Sequence, residues 1–379
     1  MAKIHEIGQI EHLSPLRDQW TQLLRQTPGA SLFHSLQWLE VYWRHFGADQ
    51  QLRVMLIEDD KQCLTGIVPL VVRREKTRAG TLRFLTYPLH DWGSFFGPIG
   101  PQPERALAAA LEHVRRTKPD WDIIELRWLG GPGTEVAATR RAMLSAGLQA
   151  YCTLWDQTAM VELTGTWEQY LASRPRPWRR NLRSAQTKLH TKYRVEFMRY
   201  RPLGASSAQT DPRWDLYEAC EQIAARSWQG SARDGTTLSH QSVRSFLREV
   251  HQEAARLGAV DINLLLLDDQ PAAFLYNYAW GGYVYGLRAG FDRAVSQQGV
   301  GTLLLAESIR DSFARGDRWY DLGVGSLRVK RHVQTTLMPI YRCSHYRASS
   351  LRAQFIRLKR ATEALRLAGN IATAQTPGN

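Results

Sequence analysis

Apolar residues along this chain change period in a fixed order, from the alternation of strands to the wider spacing of helices and back. Val260-Asp261-Ile262-Asn263-Leu264-Leu265-Leu266-Leu267 reads as a buried strand, Asp268-Asp269-Gln270-Pro271 as a tight turn, and Ala272 to Trp280 as an aromatic-rich return strand. After Gly281-Gly282, Tyr283 to Gly290 adds a third strand, and short turns make the three an antiparallel meander. The period then widens. Ser296-Gln297-Gln298-Gly299-Val300-Gly301-Thr302 opens a helix through Leu303-Leu304-Leu305-Ala306-Glu307-Ser308-Ile309, and Arg318 to Gly323 reads as another strand. A strand before that helix and one after it predict a βαβ crossover with parallel pairing.

The same grammar occurs earlier in the chain. Leu52 to Asp60 is a strand ending in an acidic turn and Thr65 to Val72 its return, as at Asn263 to Phe274. Trp121 to Arg127 echoes Trp319 to Gly323, each after a helical stretch (Glu104 to Arg116 and Thr302 to Arg315). These matches predict duplication of one α/β unit. A length of 379 residues with 44% hydrophobic content sustains two cores. The expected units are residues 1–150, residues 151–347, and a C-terminal helix and tail at 348–379. In that last segment Leu351, Phe355, Leu358, Ala361 and Leu365 share one face, with Arg352, Arg357, Lys359 and Arg360 around it. Such a helix either docks on the body or touches a membrane surface.

Composition narrows the chemistry. No run approaches the roughly 18 apolar residues of a membrane span, and Met1 to Glu6 lacks a signal peptide's apolar core, so a cytoplasmic protein is expected, at the inner face of the membrane if the last helix makes that contact. Cys63, Cys152, Cys220 and Cys343 have no spacing for zinc or redox work, and each is expected to be a small buried hydrophobe; no metal site is expected. There is no Gly-x-Ser-x-Gly elbow, Walker loop or His-Glu-x-x-His helix, and the Gly299-x-Gly301 pair lacks the third glycine of a dinucleotide fingerprint.

A net charge of +13 calls for an anionic partner. The densest basic run is Arg174-Pro175-Arg176-Pro177-Trp178-Arg179-Arg180-Asn181-Leu182-Arg183, where Pro177 suits the first turn of a helix reaching about His190 and Arg179 and Arg183 share a face. Such a run serves a phosphate-rich ligand or tRNA, or is a solvated face. The paired glycines let the backbone approach a ligand, and the first amides of the helix at Val300, Gly301 and Thr302 favour an anion. A glycine pair that merely starts a helix looks the same. Asp321 sits on a strand that otherwise reads as buried, where desolvation raises a carboxyl pKa toward base duty, unless it is a structural Asp bonded to an amide, Lys330 or Arg328. The first unit has no paired-glycine helix entry; its loop holds His90, Asp91 and Trp92, either packed or in contact with a polar substrate.

The order of these elements resembles the GNAT acyltransferase superfamily, and more closely its FemAB-related, CelD-like acetyltransferase branch. The resemblance rests on Asp268 to Phe274, Tyr285 to Phe291, Gln298-Gly299-Val300-Gly301, Tyr320-Asp321-Leu322-Gly323 with Gly325 and Lys330, and Pro177 to Arg183, and spans residues from about 30 to 347. It implies tandem GNAT-like domains with mixed central sheets. It also implies acetyl-CoA or another acyl-CoA as donor, bound by Gln297, Gln298, Gly299, Val300, Gly301 and Thr302, and transfer to an amine or hydroxyl, on a sugar or cell-envelope precursor. Asp321 would be the base and Tyr285 would donate to the thioester. Arg288, Lys330, Arg179, Arg183 and Trp228 would join His90, Asp91 and Trp92 around the substrate. In one position the sequence departs: the loop begins with Ser296 where the superfamily has Arg or Gln, and Gln297 stands beside it. Aminoacyl-tRNA-dependent peptidyl transfer and an inactive GNAT-like binding protein are the alternatives.

Overall fold

A computed structural model describes residues 3–131, 135–227, 237–323 and 326–374, the stretch 364–374 as helix backbone. Its strands are β1 (Lys3–Ile7), β2 (Gln50–Glu58), β3 (Leu64–Thr77), β4 (Gly80–Thr86), β5 (Ile123–Leu129) and β6 (Tyr151–Glu162), then β7 (Val195–Tyr200), β8 (Val260–Leu267), β9 (Gln270–Trp280), β10 (Tyr283–Phe291), β11 (Trp319–Asp321) and β12 (Thr336–Tyr346). The helices are α1 (Arg17–Gln26), α2 (Leu36–Phe46), α3 (Pro103–Arg116), α4 (Val136–Ser145), α5 (Trp167–Ser173) and α6 (Arg176–Lys192), then α7 (Trp214–Arg226), α8 (Gln241–Arg256), α9 (Val300–Arg315), α10 (Leu327–Lys330) and α11 (Leu351–Ala374). None of the described helices is long and apolar enough to cross a membrane.

The central sheets expected of two units are one continuous 12-stranded sheet, ordered β1-β2-β3-β4-β5-β12-β6-β11-β10-β9-β8-β7. Each half is a four-strand antiparallel meander, a crossover helix (α3 or α9) and a fifth strand parallel to the fourth. The sixth strands are exchanged. β6 pairs with β11 of the other half, β12 pairs with β5, and the two pair with each other from Thr336↔Met160 to Ser344↔Tyr151. Exchange closes what would be two exposed sheet edges, and it makes residues 336–346 part of the first half's sheet.

Local chemistry explains the elements that matter for the site. Asp268 and Asp269 both take positive φ (49° and 63°), the backbone of a two-residue hairpin turn, and fix the β8–β9 register. Pro177 lies in the first turn of α6, whose Trp178, Leu182, Ala185 and Leu189 pack on α9. Beneath α9, Arg199 is buried against Asp261 at 2.7 Å and donates to Asp311 and Ser312, while Asn277 donates to Asp261 at 3.2 Å and to the Tyr320 hydroxyl at 3.1 Å. That network ties β7, β8, β9, β11 and α9 into one block. The halves lock where Phe246 of α8 meets Trp38 and Phe46 of α2 at ring separations of 5.5 and 4.9 Å.

The cysteines correct one expectation. Cys152 of β6 and Cys343 of β12 face each other in register and form a disulfide, while Cys220 is buried and Cys63 exposed. Their separation of 191 residues hid the pairing, since only the strand exchange brings them together. Thiol titration of the denatured, unreduced chain is expected to find Cys63 and Cys220 alone. Reduction, or Cys152→Ala with Cys343→Ala, is expected to lower unfolding stability by about 2–4 kcal/mol; four titratable thiols would refute the pairing.

Candidate active site

The site forms where two parallel strands part. Among the described residues β10 pairs with β11 over Tyr283↔Trp319, Val284↔Tyr320 and Tyr285↔Asp321, and β10 then continues to Phe291. Two glycines stand at the parting. A Cβ on Gly286 would lie 2.4 Å from the Asp321 carbonyl oxygen, and one on Gly323 (φ 74°) would lie 2.3 Å from the Gly286 oxygen. Only glycine permits this approach. A register shift between Gly286 and Arg288 then carries β10 away from its partner.

Asp321 ends β11 at this point, 4% exposed. Its Oδ1 accepts from Thr158 Oγ1 at 2.6 Å and from the Gly323 amide at 2.9 Å. Burial raises its pKa, and the Thr158 and Gly323 bonds and the charge of Lys330 only partly offset that. Lys330 of α10 donates to the Gly323 carbonyl; burial, with Arg288 nearby, brings its pKa down to about 8 against the opposing pull of Asp321. Tyr283 and Tyr285 lie on the same face as Asp321, their rings 4.8 Å apart, and the Tyr283 hydroxyl is buried with no hydrogen-bond partner. The phenols of both are raised by burial and by the Asp321 charge.

The first half supplies the opposite wall. Phe33 and Phe95 contact the Tyr285 ring at 5.7 and 6.3 Å, and the Arg288 guanidinium stacks 3.9 Å above the ring of Trp92. His90 stacks on Phe46 at 4.2 Å, and burial lowers its pKa. Asp91 is exposed at the rim. Thus Trp92, Arg288, Tyr285, Asp321 and Lys330 converge from both halves, with His90 packed at the edge.

Farther along β10, Phe291 packs against the entrance of α9, where a Cβ on Gly301 would meet its ring at 3.0 Å. Gly299 is the N-cap with φ 80° and offers no capping side chain, so the first-turn amides of Val300, Gly301 and Thr302 have no side-chain acceptor from the cap. The Gln297 side chain is exposed, and Gln298 donates to the Tyr193 hydroxyl at 3.3 Å. α6 approaches closely: a Cβ on Gly299 would lie 2.7 Å from Ala185 Cβ. On α6, Arg183 is exposed and Arg179 half-buried, its Nε without a hydrogen-bond partner. From Gly286 to Phe291 β10 runs on for about 17 Å, from beside Asp321 to the α9 entrance.

The corresponding helix of the first half has a different start. α3 carries Pro103, which has no amide hydrogen, and Glu104, paired with Arg141 at 2.6 Å. A cavity of about 470 Å³ opens there, where Glu104 and Glu135 balance the charge of Arg105 and Arg141 and Pro103 offers no amide to an anion.

Trp228 and Gly325 lie outside the described residues. Thr158, Tyr283, Phe33, Phe95 and Gly286 were not singled out in the sequence. Thr158 reaches Asp321 only through the exchanged β6, and Phe33 and Phe95 only through the contact of the halves, so no local signal marks them. Gly286 had one, a glycine inside an aromatic strand.

Residues 176–331 match the family model described as an acetyltransferase (GNAT) domain. The chain is also similar to the crystal structure of FemX, with a TM-score of 0.60 at 12% identity, covering 94% of this chain and 99% of that one. The C-terminal domain of a putative lysylphosphatidylglycerol synthetase from Agrobacterium fabrum gives 0.53 at 12% identity, covering 92% and 96%. A conserved protein of unknown function from Bacteroides thetaiotaomicron gives 0.51 at 12%, covering 92% and 100%. No curated protein matches the sequence. Residues 176–331 thus carry a GNAT domain by sequence, and the chain along nearly its whole length has the fold of FemX.

Because the parting of β10 and β11 needs two bare α-carbons, Gly323→Ala and Gly286→Ala are each expected to lower stability by about 1–3 kcal/mol in urea unfolding. A loss below about 0.5 kcal/mol at both positions would show that the strands separate for another reason.

Proposed function

We propose that the chain is an acyltransferase that moves an acyl group, acetyl in the simplest case, from a coenzyme A thioester to an amine or hydroxyl of an acceptor held between the two halves. The observation that carries this reading is the α9 entrance, a glycine-capped helix start that β10 links to the buried Asp321 carboxyl. The donor supplies an activated acyl carbon on a thioester and a pyrophosphate. In this reading Val300, Gly301 and Thr302 amides and the α9 dipole bind the pyrophosphate, with Gln297 and Gln298 at its rim. β10 orients the arm between them.

Asp321 takes the proton from the attacking amine or hydroxyl, directly or through water, as the new bond to the acyl carbon forms; the acyl carbon–sulfur bond then breaks and the thiol leaves with a proton taken from solvent. Its raised pKa suits a base, and Thr158 and Gly323 hold it in place. The Tyr283 hydroxyl, lacking a partner, and Tyr285 line the face where oxyanion charge develops. Arg288 on Trp92 and the ammonium of Lys330 hold an acidic group of the acceptor, and His90 and Asp91 border its entry. A sugar or cell-envelope precursor fits such a polar, aromatic-walled cleft. The first half, with Pro103 and Glu104, shapes the acceptor side without a donor site of its own.

One observation favours a second reading, aminoacyl transfer from a charged tRNA. Arg176, Arg180, Arg183 and Lys188 are exposed along α6, which packs on the same loop.

Calorimetry with acetyl-CoA is expected to show saturable binding to the wild type and none to Gly301→Glu. Failure of both to bind, with tRNA bound and lost on Arg180→Glu with Arg183→Glu, moves the function to the second reading; failure of every ligand leaves a binding protein without a donor. Asp321→Asn is expected to lower kcat by roughly 10²–10⁴ with the melting temperature little changed. The rate is expected to fall above about pH 8, where Lys330 loses its proton, and Lys330→Met to remove that limb; an unchanged limb in the variant excludes the lysine.

A further inference from the structure

Under α11, the face of β3, β4, β5 and β12 carries a polar cavity of about 320 Å³, far in the fold from the α9 entrance. Lys76, Arg78, Arg342, Lys359 and Arg360 line it. Its carboxylates are already engaged. Glu125, fully buried behind it, accepts from Arg127 at 2.6 Å and from Arg360; Glu75 accepts from Arg73 at 2.7 Å and Arg127 at 3.1 Å; Glu363 pairs with Lys359 at 3.3 Å. Arg342, half-buried, donates to Thr153 Oγ1 at 3.2 Å and pairs with no carboxylate among the described residues. Lys76 and Arg78 are exposed and likewise lack a carboxylate partner there. Burial, and after it the charge of Arg360, lower the pKa of Arg342 against the opposing pull of Glu125.

The outer side of the same helix is apolar. Ala353 and Ile356 are buried against Phe84, Ile123 and Tyr346, but Leu351, Phe355 and Leu358 are 86%, 54% and 59% exposed. Their spacing places them on one stripe, and Lys359 sits at its flank, between the stripe and the cavity. One exposed leucine needs no explanation; three large apolar side chains on a stripe beside a cavity that holds Lys76, Arg78 and Arg342 without carboxylate partners among the described residues do. A free phosphate ester would use the cations and leave the stripe unexplained. A second copy of a chain with net charge +13 would cover the stripe and add like charge to the cavity. An anionic phospholipid surface satisfies both, its phosphates at the cations and its acyl boundary at the stripe.

We propose that α11 and the cavity beneath it form a docking site for an anionic phospholipid surface, with a headgroup phosphate among Lys76, Arg78 and Arg342 and the Leu351, Phe355 and Leu358 side chains in the acyl boundary. The site is independent of the acyl-transfer reading, since no residue of it belongs to the cleft at Asp321.

The test is co-sedimentation of the full chain with vesicles of phosphatidylcholine alone or containing phosphatidylglycerol. Partitioning into the phosphatidylglycerol vesicles alone is expected, weakened by salt. Lys76→Glu with Arg78→Glu, and separately Phe355→Ser with Leu358→Ser, are each expected to lower it about tenfold or more. All four side chains are exposed, so unchanged circular dichroism and melting are expected of both variants. Equal binding to both vesicles, or binding indifferent to either variant, would overturn the proposal. So would calorimetric binding of glycerol 3-phosphate with no vesicle association, or a dimer in sedimentation velocity that Phe355→Ser with Leu358→Ser dissolves while vesicles bind nothing.

Discussion

The contact of two bare backbones, Gly286 of β10 against Asp321 and Gly323 of β11, is the constraint on which the site depends. Parallel strands normally continue side by side until one ends. Here the approach is too close for any side chain, and beyond it β10 continues toward α9 past the last described pair with β11.

Around that contact the fold is over-braced. The Arg199 and Asp261 pair, with Asn277, Tyr320 and Ser308, ties the strands to α9 from one side of the sheet. The aromatic contact of α2 with α8 presses Phe33, Trp92 and Phe95 onto the other. The exchanged strand β6 then brings Thr158 to Asp321. Duplication alone would have produced two separate sheets with edges at β5 and β11. Exchange of β6 and β12 makes one sheet and turns the junction between the units into the wall of a cleft.

Much of this was legible in the sequence wherever the signal is local. Asp268-Asp269 specified its hairpin, the glycine pair its helix start, and Pro177 the head of α6, because each acts through its own backbone. The position of Asp321 after a crossover helix followed from strand order. What stayed hidden is non-local. Nothing near Cys152 or Cys343 announces a partner 191 residues away, and nothing near Thr158 announces Asp321. The single continuous sheet was equally invisible, since the pairing of β12 with β5 is a choice among edges that short-range patterning cannot rank.

Burial acts on the two titratable groups at the site in opposite directions. Burial raises the pKa of Asp321, so its favourable contribution to folding is fully present only below the ordinary 3.8 and is lost as pH rises through the folded value. Lys330 has the opposite sign: its pKa is depressed to about 8, so its contribution is present above 10.5 and lost as pH falls through 8. Near neutral pH Lys330 carries the charge that burial disfavours and so reduces the stability of the fold. Their mutual attraction offsets part of this, yet the lysine bonds the Gly323 carbonyl and the aspartate bonds Thr158 and the Gly323 amide, so neither is spent on the other. In the proposed reaction, a buried carboxyl and a buried amine held by third parties beside the Gly286–Gly323 contact suit the handling of a proton and a developing charge.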